Sequence, residues 1–259
     1  MNIVVIGAGN LAHYFCTALT GNQQFSIIQV YARNPVQAQY FEKKFRLSVT
    51  GTPENIIQDA DIYLFAVNDG AIEELAALIQ RPKALNIHCA GSQATELTAA
   101  SGKNNAVIWP IYSITKSTHP AKENIPLIVD GNNAAAVKTA LELASEISEN
   151  VRVLNFEQRR YLHLNAVLVN NFTNHLMAIA EQISKEQQID YDILMPIIEQ
   201  TAQRVKKQSP GENQTGPAKR NDTATMRAQL ELLAQHPKWQ EVYRSLSTSI
   251  IEMYTEEPT

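Results

Sequence analysis

Short, continuous apolar runs alternate along this chain with longer stretches of helical periodicity. The apolar runs fall at residues 2–6, 27–32, 62–67, 84–89, 107–112 and 127–129. Runs this short, rich in Ile, Val, Leu and Tyr and without polar alternation, suit strands covered on both faces. Helical patterns lie between the first several, at 11–20, 35–45, 71–79 and 94–101, and another at 133–148 follows the sixth strand. The alternation predicts an α/β fold with a parallel sheet and right-handed crossovers. Pro35 suits a first helical turn, with Asn34 as its cap. An extended run at 151–155 closes a first domain, 1–155.

From residue 156 the texture becomes helical, which predicts a second, all-helical domain over 156–259. Its helices are expected at 157–187 and 192–208, followed by a polar break at 209–221 with Pro210, Gly211, Gly216 and Pro217, then two helices separated at Pro237. Met177, Met195 and the leucine stripes read as core. A long, largely apolar helix needs cover on more than one side, and so few residues offer little of it. The helical domain is therefore expected to form a homodimer.

The first strand opens directly into Gly7-Ala8-Gly9-Asn10-Leu11-Ala12. A tight turn needs Gly7, Gly9 leaves room for a pyrophosphate to reach the amides of a helix N-terminus, and Ala12 is small where helix and strand pack closely. This is a dinucleotide-binding turn. An NAD site commonly carries an acid at the end of the second strand, where this chain has Ala32-Arg33-Asn34. Arg33 can meet a 2′-phosphate with a charge-assisted bond and Asn34 can add a donor, which selects NADP; the competing reading makes Arg33 solvated and Asn34 only a helix cap. Val67 and Asn68, at the end of the third strand, fall beside the cofactor, while Asp69 reads equally as a helix cap.

Composition narrows the partners. A net charge of −4 without any Lys/Arg block argues against nucleic acid or an anionic membrane and for a small-molecule substrate. No secretory signal precedes the first strand and no apolar run has spanning length, so a cytoplasmic protein is expected. The two cysteines, Cys16 and Cys89, lack metal-like spacing and read as buried; no metal site is expected.

Reducing a carbonyl or imine requires a proton donor and a fixed substrate pose beside the nicotinamide. His163 and Asn171 share the long helix eight residues apart, about 80° around its axis and about two turns along it. They are candidates for proton donation and substrate fixing, against plainer roles as a bonded helix histidine and an interhelical amide. His88, at the end of the fourth strand, is a second acid candidate beside the nicotinamide, and Gly91 and Ser92 could approach the cofactor or substrate. Arg220 is a candidate for an anionic substrate group, with Lys219 adding charge and Asp222 orienting it; in the plainer reading Asp222 is a helix cap.

Together, residues 7–12, 32–34, 66–69, 88–92 and the Gly216-Pro217-Ala218-Lys219-Arg220-Asn221-Asp222 segment resemble the NADP oxidoreductase family with a Rossmann-like N-terminal domain and an uncharacterised C-terminal helical domain. That family is similar to pyrroline-5-carboxylate reductase, deazaflavin-dependent NADP oxidoreductase and the 6-phosphogluconate dehydrogenase group. The resemblance implies a Rossmann-type sheet domain followed by an all-helical 6-phosphogluconate dehydrogenase C-terminal-like domain, with hydride transfer in the cleft between them. Three positions depart from the pattern. Trp109-Pro110 stands where the family commonly has His-Pro, His88-Cys89-Ala90-Gly91 where it has His-Thr-Ser-Gly, and Val167 where some relatives carry a lysine. The loss of these polar groups keeps open an alternative, a non-catalytic NADP-binding sensor or interaction protein.

Overall fold

In the computed structural model, residues 1–119 and 124–255 are described. They form two compact units, Met1–Val169 and Asn170–Thr259.

The first unit is built on an eight-stranded sheet of order β3-β2-β1-β4-β5-β6-β7-β8. The strands are β1 (Asn2–Ile6), β2 (Ser26–Tyr31), β3 (Ser48–Thr50), β4 (Ile62–Phe65), β5 (Leu85–His88), β6 (Asn104–Pro110), β7 (Leu127–Gly131) and β8 (Val151–Val153). The helices α1 (Asn10–Leu19), α2 (Pro35–Phe45), α3 (Asp69–Ile79) and α4 (Ala134–Ser145) cover it. The continuous apolar runs are explained by cover on both faces. Along β1 and β4, Ile3, Val5, Ile62 and Leu64 join one core with Phe15, Ala140 and Leu143, whereas Val4, Ile6, Tyr63 and Phe65 join another with Ile72 and Leu75. Cys16 and Cys89 are both buried and free.

The parallel expectation is corrected at one pair. β7 runs antiparallel to β6, with Ala106 opposite Gly131 and Pro110 opposite Leu127, while every other pair is parallel. The cause lies in the connection: among the described residues between them no helix carries the chain back across the sheet, so it returns in the reverse direction. The helix expected at 94–101 is only a 3₁₀ turn, Thr95–Thr98. Side chains hold that segment instead: Thr98 Oγ1 donates to Asn105 Oδ1 at 2.8 Å and Ser101 Oγ to Asn86 Oδ1 at 2.9 Å. The edge strand β3 went unforeseen, since three residues carry too little pattern to read.

Asn34 caps α2, its Oδ1 accepting from the amides of Val36 and Gln37. A reciprocal capping box of Asn155 and Gln158 starts α5 (Phe156–Ala166). The helix expected over 157–187 is then interrupted by a π-helical turn, Val167–Phe172, before α6 (Thr173–Glu186).

The second unit continues with α6, a 3₁₀ turn at Tyr191–Leu194, α7 (Met195–Arg204), α8 (Thr223–Leu232) and α9 (Pro237–Thr255). Within it, Glu186 accepts from His236 at 2.8 Å, and the His236 ring stacks on Trp239. Met177 is half-buried, but Met195 is exposed rather than core, as are Ile193, Ile197 and Leu232.

Candidate active site at the glycine turn

β1 ends at Ile6 and is followed by Gly7, whose φ of +119° lies where L side chains are strained. Its amide donates to the Tyr31 carbonyl at 2.9 Å, and a β-carbon there would run into the Ala66 carbonyl and lie 2.8 Å from Val67 Cγ1. Gly9, the N-cap of α1, makes no side-chain cap, and a β-carbon on it would meet nothing within 4 Å. The amides of a first helical turn have no partner within the helix, and Gly9, Asn10 and Leu11 line open space at the helix's positive end.

That space is a cleft of about 550 Å³ lined by residues 7–11, Arg33, residues 66–69, Cys89, Trp109, Pro110, Tyr112 and Ile114. A lobe of about 360 Å³ shares Gly7, Ala8, Gly9, Arg33 and Val67 with it and adds Ala32, Asn34 and Gln37. Of the expected cofactor residues, Gly7, Ala8, Gly9, Asn10, Leu11, Arg33, Val67 and Asn68 line the cleft and Asn34 lines the lobe. Ala12, His88 and Gly91 line neither; Ala12 is fully buried and acts by packing. Asn34 acts as the helix cap through Oδ1, which leaves its amide nitrogen as a donor beside the lobe. A pyrophosphate at the amides and a phosphate between Arg33 and Asn34 fit this donor set.

The expectations for His88 and Gly91 are corrected. His88 is fully buried, its Nδ1 accepting from the Ala90 amide at 3.2 Å and its Nε2 paired with the Ala94 carbonyl at 2.9 Å. This fixes the neutral tautomer with the proton on Nε2. Burial, reinforced by the positive charge of Arg159, pushes the imidazole down to about 4. His88 thus shapes the turn after β5 and has no proton to offer the cleft. Gly91 is also buried, and a β-carbon there would strike the Trp109 indole, 2.8 Å from Cζ2. The glycine makes room for Trp109.

The same turn is held by a residue that sequence reasoning missed. Arg159 of α5 is fully buried, with Nη1 donating to the Gly91 and Gln93 carbonyls at 2.9 and 2.8 Å and Nη2 to Thr95 Oγ1 at 3.2 Å. Its charge is met by Asp130 of β7, whose Oδ2 lies 3.1 Å from Nη2. Nothing in Gln158-Arg159-Arg160 separates a buried arginine from a solvated one.

Trp109, 8% exposed, forms a wall of the cleft, and the His163 ring lies 5.7 Å from it, half-buried. Asn171 is exposed and sits in the π-turn, so the regular-helix angle expected between it and His163 does not apply. In the second unit Arg220 is exposed, and Asp222 caps α8 by accepting from the Thr225 amide and hydroxyl at 3.1 and 2.7 Å. The carboxylate is committed to the helix, as its plainer reading held. Lys219 Nζ lies 4.8 Å from the Tyr254 ring. Among the described residues no group of three or more His, Cys, Asp or Glu is placed to hold a metal ion, and no helix is long and apolar enough to cross a membrane.

Comparison with known proteins agrees with this geometry. Residues 2–91 match the family described as "NADP oxidoreductase coenzyme F420-dependent", and residues 125–250 match a domain of unknown function, DUF2520. The crystal structure of a "putative NADP oxidoreductase" from Bacteroides fragilis is 33% identical, covers 97% of this chain and 98% of its own, and superposes with a TM-score of 0.87. The chain belongs to this NADP oxidoreductase family. An imine reductase from Myxococcus stipitatus in complex with NADP+ shares 13% identity over 99% of this chain and 93% of its own, with a TM-score of 0.66. A pyrroline-5-carboxylate reductase from Coxiella burnetii shares 16% identity over 100% of this chain and 99% of its own, with a TM-score of 0.57. At these identities the likeness to the two reductases is one of fold. No curated protein matches the chain.

Two outcomes follow for this NADP oxidoreductase. Arg159→Met should lower unfolding free energy by about 3–5 kcal/mol, because it strands Asp130 and two carbonyls; urea unfolding measures this, and a loss within experimental error would contradict the clamp. His88 has a lower pKa folded than unfolded, so the stability it contributes is full above about 6.5 and is lost as pH falls toward about 4. The loss should reach about 3 kcal/mol. Unfolding curves across that window should flatten in His88→Gln; an unchanged slope would contradict the buried neutral imidazole.

Proposed function

We propose that the protein is an NADP-dependent oxidoreductase acting on a small carbonyl or imine. The reading is carried by the glycine turn, whose residues 7–9 line both the cleft and the lobe, together with Arg33, and the lobe adds Asn34. An acid at the position of Arg33 would repel a 2′-phosphate; a guanidinium attracts it. NADPH, when bound, supplies the hydride. The chain must hold the dinucleotide, exclude water from the reacting carbon and deliver a proton to the developing nitrogen or oxygen anion. Residues 7–11 and the Arg33/Asn34 pair serve the first task, and the apolar wall of Trp109 serves the second.

For the third we propose His163, half-buried beside Trp109. Asn171 and Arg220 are proposed to fix the substrate, Arg220 by pairing with an anionic group. Homodimerisation is proposed for the exposed apolar side chains of the second unit, which include Ile193, Ile197 and Leu232. One observation favours a second reading, an NADP-binding sensor without turnover: the cleft wall carries the indole of Trp109 where a proton-donating side chain could have stood.

Arg33→Ala should weaken NADPH by about tenfold or more and leave NADH unchanged, while Asn34→Asp should keep the α2 cap and repel the 2′-phosphate. Nicotinamide fluorescence titration tests both variants, and equal losses for the two nucleotides would overturn the assignment. In a screen of keto acids and cyclic imines, His163→Ala should lower kcat by about 10²–10⁴ with NADPH affinity retained. Full activity in that variant would exclude His163 as the donor, and NADPH binding without turnover of any member by the unaltered protein would favour the sensor.

A further inference from the structure

The lobe at the end of β2 is walled by Arg33, Asn34 and Gln37. A second cation stands beside it on a distant part of the chain. We propose that Lys116, in the loop after β6, is a second ligand of the 2′-phosphate and a determinant of NADP over NAD preference, an inference that rests on the cofactor reading above.

The loop is tied across the glycine turn. Tyr112 and Ile114 line the same cleft as residues 7–11, Asn10 Nδ2 donates to the Ile114 carbonyl at 3.2 Å, and the Ile114 side chain packs on the main core. Beyond Ile114 the chain closes a tight turn in which the Thr115 amide donates to Thr118 Oγ1 at 2.9 Å and the Thr118 amide to the Thr115 carbonyl at 3.1 Å. Thr118 is buried, so the turn is anchored at its far end. Lys116 projects from it, its Nζ donating to Gln37 Oε1 at 3.1 Å and lying 4.5 Å from the centre of the Tyr40 ring. The ammonium is one hydrogen bond from the lobe wall.

Its present partners, the Gln37 amide oxygen and the Tyr40 ring, carry no formal charge. An amide oxygen is a neutral acceptor, whereas a phosphate dianion offers charge-assisted bonds. An exposed lysine on a flexible stem exchanges one for the other at little cost. Positive charge gathers in this corner: the imidazole of His13 is driven below its usual value first by burial and then by Lys44, Lys116 and His119. A dianion would relieve that crowding. Sequence reading passed over Lys116 because the loop has no motif, and its place beside Gln37 follows only from the return of the chain across the sheet.

The test is a set of nicotinamide fluorescence titrations with NADPH and with NADH on the unaltered protein, Lys116→Ala, Lys116→Arg and Arg33→Ala. Lys116→Ala should weaken NADPH by about fivefold, the scale of one partly exposed ion pair, and leave NADH unchanged; Lys116→Arg should bind as the unaltered protein does. An unchanged melting temperature would show that Lys116→Ala folds, as an exposed position leads one to expect. If Lys116→Ala affects both nucleotides equally or neither, while Arg33→Ala selectively loses NADPH, the Lys116 proposal fails and the cofactor reading stands. If the unaltered protein does not prefer NADPH, the cofactor reading and this proposal fail together.

Discussion

Gly7 meets the carbonyl of Ala66 with no room for a β-carbon, and the cleft is built outward from that contact. The amide of Gly7 is bound to the end of β2, and the residue's missing side chain lets the turn press against the end of β4. The turn is thereby wedged between the neighbouring strands of β1. Its direction aims the first turn of α1 into the space above the sheet, where the free amides and the helix dipole favour an anion. Any L side chain at Gly7 would face both a left-handed backbone and a backbone carbonyl that cannot rotate away.

A second constraint is electrostatic. Burying a guanidinium is costly unless its charge and its donors are met, and Arg159 meets both demands through Asp130, two loop carbonyls and Thr95. The result is a rigid turn after β5 in which His88 is neutral and Gly91 yields its side-chain space to the Trp109 indole. The apolar wall of the cleft is therefore supported by a polar network behind it. Within that network the charges of Arg159 and Asp130 answer each other and the His88 imidazole is bonded to the turn itself.

Much of the fold was legible in the sequence because burial on both faces leaves a continuous apolar signature, as in residues 3–6 and 62–65. The glycine turn and the Asn34 cap were legible because a backbone angle and a helix start each demand a particular kind of residue. The reversal at β7 was not, since an apolar strand reads the same in either direction. Likewise the π-turn at Val167–Phe172 leaves helical periodicity locally intact while changing which face Asn171 occupies. Arg159 and Lys116 were illegible for a shared reason. Their partners, Asp130 and Gln37, are distant in sequence, and a cation in a polar stretch looks solvated until the chain is folded.

The most direct measurement is a crystal structure of the protein grown with NADP+. The account places the pyrophosphate against the amides of residues 9–11 and the 2′-phosphate between Arg33 and Asn34. Density for the dinucleotide elsewhere, such as the larger cleft lined by Met1, Asp61 and Arg81, or a 2′-phosphate turned away from Arg33, would contradict it.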